Sequence, residues 1–286
     1  MDRSPKTGIF FMTLSALCFS CSDIGIKVLG GNLSPWQITT GRGLLGVLVI
    51  AVLCRFNLKM FLVRQWPCQM LLGLTGAFGF TCFIISIKYL PLSIALPLSY
   101  VFPAIGAMIS PLINKERPGR ADWIAIALAL MAVICLSQGA PSEDGGNFPI
   151  GVTFSLIGAF FVALMTNLAR RQTQTVLLNV NLFYVFLSNF LVGFPLILFF
   201  GGPIVPPAPD LAKLFLVIAP AAIIAFGLMF VAYRHISAHR GGIILTLEAA
   251  SATIYGLVVL NEPMTFPVVL GGLLILSSGV IIIRAS

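Results

Sequence analysis

Long apolar runs separated by short polar segments make up almost the whole chain. A helix that crosses a bilayer needs about 20 mostly apolar residues, so each run predicts one transmembrane helix. The connecting segments are rich in Gly, Pro and Asn, which is typical of turns. The pattern therefore predicts an all-α membrane protein of ten transmembrane helices. The predicted spans are 8–29, 36–54, 67–87, 91–113, 120–138, 149–169, 176–200, 210–233, 241–260 and 265–284.

Composition supports this class and excludes others. Of the 286 residues, 58% are hydrophobic and 9% are charged, whereas a soluble domain carries about 25% charged residues. We therefore exclude a soluble enzyme and a nucleic-acid-binding domain, and we expect the lipid bilayer as the main surroundings. Cys18 and Cys21 form a CxxC in an apolar run without a second pair or a nearby His. All six cysteines are interpreted as small buried hydrophobic residues, and no metal or cofactor is expected.

The positions of the basic residues predict the orientation. With the N-terminus inside, 13 Lys and Arg residues fall in the inner segments and three in the outer ones. The positive-inside rule then places both termini in the cytoplasm of a cell with a bacterial-type inner membrane. The inner residues are Arg3, Lys6, Arg55, Lys59, Arg64, Lys115, Arg117, Arg120, Arg170, Arg171, Arg234, Arg240 and Arg284, and the outer ones are Lys27, Lys88 and Lys213.

The two halves of the chain resemble each other. A shift of 143 residues aligns Gly8 with Gly151, and a shift of 146 aligns Glu116 with Glu262. Each half holds five spans, so the second half enters the membrane from the opposite side, as in the inverted repeats of secondary transporters. We predict one repeat over 1–138, a periplasmic linker over 139–148 and a second repeat over 149–286.

Two segments carry a resemblance to a known family. In both halves a fourth span runs into a Glu-containing turn with a nearby proline and then into a fifth span, at 96–136 and 245–284. This arrangement resembles the EamA family of the drug/metabolite transporter superfamily, which implies a ten-helix transporter. The Leu247-Glu248 pair resembles a frequent Leu-Glu-Pro of that family, with Ala249 in place of the proline.

Ionisable residues inside the predicted spans are the first candidates for function, because each costs several kcal/mol unless it is paired or hydrated. Asp23 and Arg42 both lie about 9 Å from the outer end of their spans, and Lys27 is one helical turn above Asp23. One interpretation is a structural ion pair of Asp23 with Arg42 or Lys27. The alternative is that the three line the outer pathway and bind the charged groups of a zwitterion.

Glu248 is predicted to lie near the midplane of the membrane, about 12 Å from the inner end of the ninth span. The sequence places no base at the same depth. Two interpretations stay open: Glu248 exchanges a proton or meets a cationic group, or it bonds broken backbone of a neighbouring helix.

The fourth span holds four prolines, so we predict an interrupted helix. Its Ser99, Tyr100 and Phe102 are predicted to form a wall of the substrate site that faces Glu248 of the ninth span, with aromatic packing as the alternative. Asn167 and Tyr255 are weaker candidates of the same kind.

Other patterns are interpreted as structural. Gly73, Gly76 and Gly79 predict a close helix contact rather than a phosphate loop. His235 and His239 have no carboxylate beside them in the sequence and are interpreted as interfacial charge. Glu116 and Glu262 lie at turns and are expected to cap a helix or pair with loop bases.

Together these features predict a secondary active transporter, not an enzyme, that moves a small polar organic metabolite such as an amino acid or a related amine. Alternating access is the expected mechanism, with proton coupling as an option and without ATP, since no Walker motif is present. The alternatives are an integral membrane enzyme or lipid-handling protein, and a structural subunit. Both a monomer and a homodimer fit the sequence.

Overall fold

The structure is a computed structural model, and it describes residues 5–29, 33–90, 95, 98–138, 148–200, 205–248, 251 and 266–284. Within these residues the secondary structure is helical, with no β-strand. The helices are α1 (Pro5–Leu29), α2 (Pro35–Leu53), α3 (Trp66–Tyr89), α4 (Phe102–Ile113), α5 (Arg120–Gln138), α6 (Phe148–Thr173), α7 (Leu178–Phe200), α8 (Ala208–Ala232), α9 (Ala238–Leu245) and α10 (Phe266–Arg284). A short 3₁₀ helix, Leu58–Phe61, lies between α2 and α3.

The beginning of α2 shows how local sequence sets a helix boundary. The Ser34 hydroxyl accepts a hydrogen bond from the backbone N–H of Gln37, and the Gln37 side chain accepts one from the N–H of Ser34. This reciprocal pair is a capping box, which satisfies two N–H groups that the first turn leaves unpaired. Pro35 follows at the first helical position, where its missing N–H costs nothing.

Proline causes the break before α4. A turn at Tyr100 and Val101 separates a short helical segment from α4. Pro103 lies in the first turn of α4 and has no N–H to bond the carbonyl of Ser99. The predicted interruption of the fourth span is therefore present, and it lies beside residues predicted to form the substrate wall. Pro91 and Pro97 lie outside the described residues.

A second irregularity lies in α8, where a π turn spans Leu214–Ile218. Pro220 lies two residues after this turn and has no N–H to donate to the carbonyl one turn earlier, so the helix widens locally instead of breaking.

Six helices among the described residues are long and apolar enough to cross a membrane: α1, α2, α3, α6, α7 and α8. The protein is therefore a multi-pass membrane protein. The count of ten spans stays a prediction. Much of the predicted ninth span, from 252 onwards, lies outside the described residues.

The closest helix pairs join one helix from each half of the chain. α2 packs on α7, α3 on α6, α5 on α10 and α1 on α8. The remaining contacts include α4 with both α6 and α9, α1 with α9, and α3 with α7. The two halves are thus interleaved rather than set side by side, and a central site can take residues from both.

The predicted close contact of the glycines in α3 is confirmed. A Cβ at Gly79 would come within 2.9 Å of Val162 Cγ2, and one at Gly73 would overlap the Ser188 hydroxyl and the backbone of α7. α3 therefore approaches α6 and α7 at distances that only glycine allows.

The cysteine interpretation was wrong in one respect. None of the six is fully buried, and Cys21 and Cys68 are exposed on the outside of the bundle. In a membrane protein this surface faces apolar lipid, so a thiol needs no burial in protein. No disulfide joins the six, all of which are described.

Candidate functional site

A cavity lined by residues from both halves of the chain lies inside the bundle; we call it the central cavity. Its polar groups are few, and aromatic rings form much of its wall, as in small-molecule sites generally. Its lining residues come from α1, α2, α3, the segment from Ser99 into α4, α6, α8, α9 and the turn that follows α9. They are Phe19, Asp23, Arg42, Gly76, Gly79, Phe80, Phe83, Ser99, Tyr100, Phe102, Gly158, Val162, Met165, Thr166, Phe226, Met229, Leu245 and Glu248.

Arg42 is the basic group of the cavity, and its side chain is only 2% exposed. The guanidinium carbon lies 3.6 Å from the centre of the Phe80 ring, a cation–π contact. Arg42 Nε has no hydrogen-bond partner among the described residues. No carboxylate of the described chain comes within 4.0 Å of the guanidinium, although Asp23 and Glu248 act on it at longer range.

Two carboxyl groups face Arg42 from other helices. The side chains of Asp23, Glu248 and Tyr100 line the same cavity, and Asp23 Oδ2 has no hydrogen-bond partner among the described residues. Two carboxylates side by side repel each other, so a proton or a cation between them favours this arrangement. We call Asp23 and Glu248 the carboxyl pair.

Serine hydroxyls position the carboxyl pair. Ser20 lies one turn before Asp23 on α1, and its hydroxyl donates to the backbone carbonyl of Glu248 at 2.9 Å. Ser251 Oγ lies 2.8 Å from Ser20 Oγ and also bonds the Glu248 carbonyl. These bonds hold the chain after α9 against α1, which brings the two carboxyl side chains together.

The structure overturns the expectation that Glu248 has no base at its depth. Arg42 lines the same cavity, and the two charges interact. The sequence-based depth of a residue is counted from one end of its helix, which ignores the tilt of the helix. Arg42 of α2 was counted from the outer end and Glu248 of the ninth span from the inner end, yet the two approach each other inside the bundle. The structural ion pair of Asp23 with Arg42 is also absent as a direct contact.

The predicted facing of the fourth and ninth spans is confirmed at Tyr100 and Glu248, which both line the cavity. Ser99 and Phe102 line it too, and the Phe102 ring lies 5.5 Å from that of Tyr100. The Lys27 side chain and the whole of Tyr255 lie outside the described part of the chain.

Asn167 does not line the cavity. Its amide donates to the carbonyls of Gly106 and Ala163, at 3.1 and 2.9 Å, and its Oδ1 accepts from Asn114 at 3.0 Å. These bonds tie α6 to α4, which favours a structural role for this residue.

The aromatic walls were missed at the sequence level. Phe19, Phe80, Phe83 and Phe226 line the cavity, yet they are four of 23 phenylalanines in uniformly apolar spans. Phe80 alone had a signal, since it follows the glycines that leave space beside α3.

A second group of buried charges lies at the end of the bundle where α1 begins; we call it the basic end. Glu116 pairs with Arg170 at 2.9 Å and accepts the N–H of Ala238 at 3.1 Å. Arg170 also donates to the Tyr233 carbonyl. Glu116 thus pairs with a base, as predicted, and caps α9 rather than the helix that follows it.

His239 was interpreted as interfacial charge with no carboxylate beside it, and the structure differs from that interpretation. It is buried, and its Nε2 lies 3.2 Å from Asp122 of α5. Asp122 also lies 3.5 Å from Arg240 and accepts the N–H of Gly119. Within the residues described, no cluster of three His, Cys, Asp or Glu side chains could hold a metal ion. Glu262 lies outside the described residues.

Comparison with known proteins gives relatives that are named as transporters. The chain is 26% identical to the pseudopaline exporter CntI of Pseudomonas aeruginosa over 194 residues, which cover 67% of this chain and 66% of the exporter. It is 22% identical to an uncharacterized transporter of Helicobacter pylori over 160 residues, which cover 55% and 53% of the two chains. The chain thus spans just under two thirds of the exporter and about half of the second relative.

A crystal structure of another protein has the same fold. It superposes with a TM-score of 0.80 at 18% identity and covers 97% of this chain and 96% of its own. The model of the EamA-like transporter family matches residues 6–138 and 149–284. With nearly the whole sequence matched in this way, the chain belongs to the EamA-like transporter family.

Proposed function

We propose that the protein is a secondary active transporter that moves a small polar organic metabolite, such as an amino acid or a related amine, across the inner membrane by alternating access. The observation that carries the proposal is the central cavity, where charged groups from both halves meet among aromatic walls. A buried ionisable group inside the membrane is costly, and its usual reason is a substrate or ion pathway.

We also propose that the fold is a pair of inverted five-helix repeats, over 1–138 and 149–286. The repeat alignment matches Gly8 with Gly151 and Tyr89-Leu90 with His235-Ile236. The contacts between helices are also equivalent when the two halves are exchanged. A Cβ at Gly8 would meet His235 and Ile236, and a Cβ at Gly151 would meet Tyr89 and Leu90.

The residues that line the cavity are likewise matched between the two halves. The same shifts of 143 and 146 residues pair twelve of its residues with one another. The pairs are Phe19 with Val162, Asp23 with Thr166, Phe80 with Phe226, Phe83 with Met229, Ser99 with Leu245, and Phe102 with Glu248. A site shared by two related halves is what alternating access by rocking of the repeats requires.

Coupling to protons is assigned to the carboxyl pair. The shared proton holds Asp23 and Glu248 together, and a cationic group of a substrate can replace it. Substrate and proton then compete for the carboxyl pair, and such competition is the basic requirement for exchange of substrate against protons.

Transport is tested with purified protein in proteoliposomes. We expect saturable, protein-dependent uptake of amino acids or amines that responds to an imposed proton gradient. Uptake no greater than that of protein-free liposomes, for every compound of both classes, would contradict the proposal.

The orientation is proposed from the distribution of basic residues, with both termini in the cytoplasm. In a variant without native cysteines, a membrane-impermeant thiol reagent should label a cysteine placed at 142–147 and not one placed at 116–120. The reverse labelling would overturn the orientation.

A further inference from the structure

The charges of the central cavity are arranged less symmetrically than its walls. Phe80 and Phe226 are matched across the two halves, but Asp23 is matched by Thr166 and Glu248 by Phe102. Either shift places an uncharged residue, Val185 or Ser188, opposite Arg42. The walls of the cavity are thus matched between the two halves, but Asp23, Arg42 and Glu248 have no charged counterpart. Packing of the walls does not explain these three groups, because the residues at the matched positions pack without charge.

Among the described residues, no carboxylate contacts the guanidinium of Arg42 directly. Phe80 covers one face of the group, and Nε has no hydrogen-bond partner in the described part of the chain. A planar guanidinium presents several N–H donors in a fork that fits a carboxylate. Arg42 lines the cavity, so a ligand bound there meets its guanidinium.

The other pole of the cavity suits a cation. Asp23 and Glu248 supply carboxyl groups there, and Tyr100 adds a hydroxyl and an aromatic ring in the same cavity. No direct ion pair joins Arg42 to either carboxyl group, so a molecule that carries both charges can meet Arg42 and the carboxyl pair at once.

We propose that the substrate is a zwitterion bound in one orientation, with its carboxylate on Arg42 and Phe80 and its ammonium group at Asp23, Glu248 and Tyr100. This inference rests on the proposed transport function and narrows its substrate class. A net-neutral zwitterion satisfies both poles without leaving an uncompensated charge. An amine without a carboxylate leaves the Arg42 donors unsatisfied, and an acid without an amine leaves the carboxyl pair unsatisfied.

The test uses matched sets of probes: common L-amino acids, the amines formed from them by decarboxylation, and the carboxylic acids that lack the amino group. Melting of the purified full chain is measured against the concentration of each probe, since a ligand that binds the folded state raises the melting temperature. We expect at least one amino acid to bind at least tenfold more tightly than both its matched amine and its matched acid.

Arg42→Gln removes the proposed carboxylate contact. We expect the affinity for the amino acid to fall roughly 10- to 100-fold while the affinity for the matched amine stays the same, the range for a lost charge-assisted hydrogen bond. The control is Arg171→Gln, the same substitution at an exposed position of α6, which should keep the wild-type preference. If Arg42→Gln does not fold, the zwitterion proposal is tested by the relative affinities of the wild-type chain for the three probe classes alone.

Two results separate the possible failures. If an amine binds the wild-type chain as tightly as its parent amino acid, or if Arg42→Gln binds the amino acid normally, the zwitterion proposal is overturned and transport of amines stands. If no probe of any class raises the melting temperature, both the substrate class and the proposed function fall.

Discussion

Two groups of charges inside this bundle, those of the central cavity and those of the basic end, are paired differently. At the basic end Asp122 contacts His239 and Arg240, and Glu116 contacts Arg170 and a backbone N–H. In the cavity no carboxylate of the described residues lies within 4.0 Å of Arg42, although Asp23 and Glu248 line the same space.

The difference separates two uses of charge inside a membrane protein. A charge that stabilises the fold needs its partner in direct contact, because desolvation otherwise costs more than the attraction returns. A charge that binds a solute keeps its donors available until the solute arrives. By this criterion we propose that the basic end is structural and the central cavity functional.

The largest expected effect is on transport by Glu248→Gln. The substitution keeps size and hydrogen bonding but removes the carboxyl group that we propose to exchange a proton, so concentrative uptake should fall at least tenfold, or its pH dependence should disappear. The measurement is uptake in proteoliposomes of the compound that raises the melting temperature most, across a range of pH. Normal uptake at every pH would make Glu248 a structural brace.

Glu116→Gln is the matched control, because it is the same substitution at the basic end. It should leave the pH dependence of uptake unchanged.

Asp122→Asn should give the largest loss of stability. Asn keeps an acceptor for the Gly119 N–H but removes the carboxylate charge that contacts the buried His239 and the partly buried Arg240. Losing such contacts costs about 2–3 kcal/mol, which corresponds to a fall in melting temperature of roughly 5–10 °C. An unchanged melting temperature, measured without ligand, would show that the pairing at the basic end does not stabilise the fold.

Glu116→Gln should be milder. The Glu116 and Arg170 side chains are 21% and 19% exposed, so water screens part of their attraction. We expect a loss of about 1 kcal/mol, seen as a fall of roughly 2–4 °C in the melting temperature. A fall as large as that of Asp122→Asn would mean that exposure does not set the strength of these contacts.

Lys213→Ala should have the smallest effect. Lys213 is 47% exposed and lies 3.6 Å from Asp210, which is in the first turn of α8, where the helix dipole already stabilises a carboxylate. The melting temperature should not change measurably. A clear fall would show that the half-exposed Lys213 stabilises the bundle through its contact with the buried Asp210.

Much of this architecture could be predicted from the sequence, for physical reasons. An apolar run of about 20 residues has few alternatives to a membrane helix. An ionisable residue within such a run stands out, which is why Asp23, Arg42 and Glu248 were found, and the prolines around Tyr100 marked the broken helix.

The remaining features depend on how helices tilt and rotate against one another. The contact of Ser20 with the Glu248 carbonyl joins opposite ends of the chain, and the contact of Asp122 with His239 joins α5 to α9. The repeat shifts pair Phe80 with Phe226, but nothing in the local sequence of Phe226 separates it from the phenylalanines that face lipid.

The central claim, that the charges of the cavity are functional and those of the basic end structural, is tested most directly by melting Arg42→Gln and Asp122→Asn side by side without ligand. Arg42 has no direct anion to lose, so Arg42→Gln should melt within about 2 °C of the wild-type chain, while Asp122→Asn should melt roughly 5–10 °C lower. A fall for Arg42→Gln that equals or exceeds that of Asp122→Asn would contradict the claim, because Arg42 would then hold the fold together.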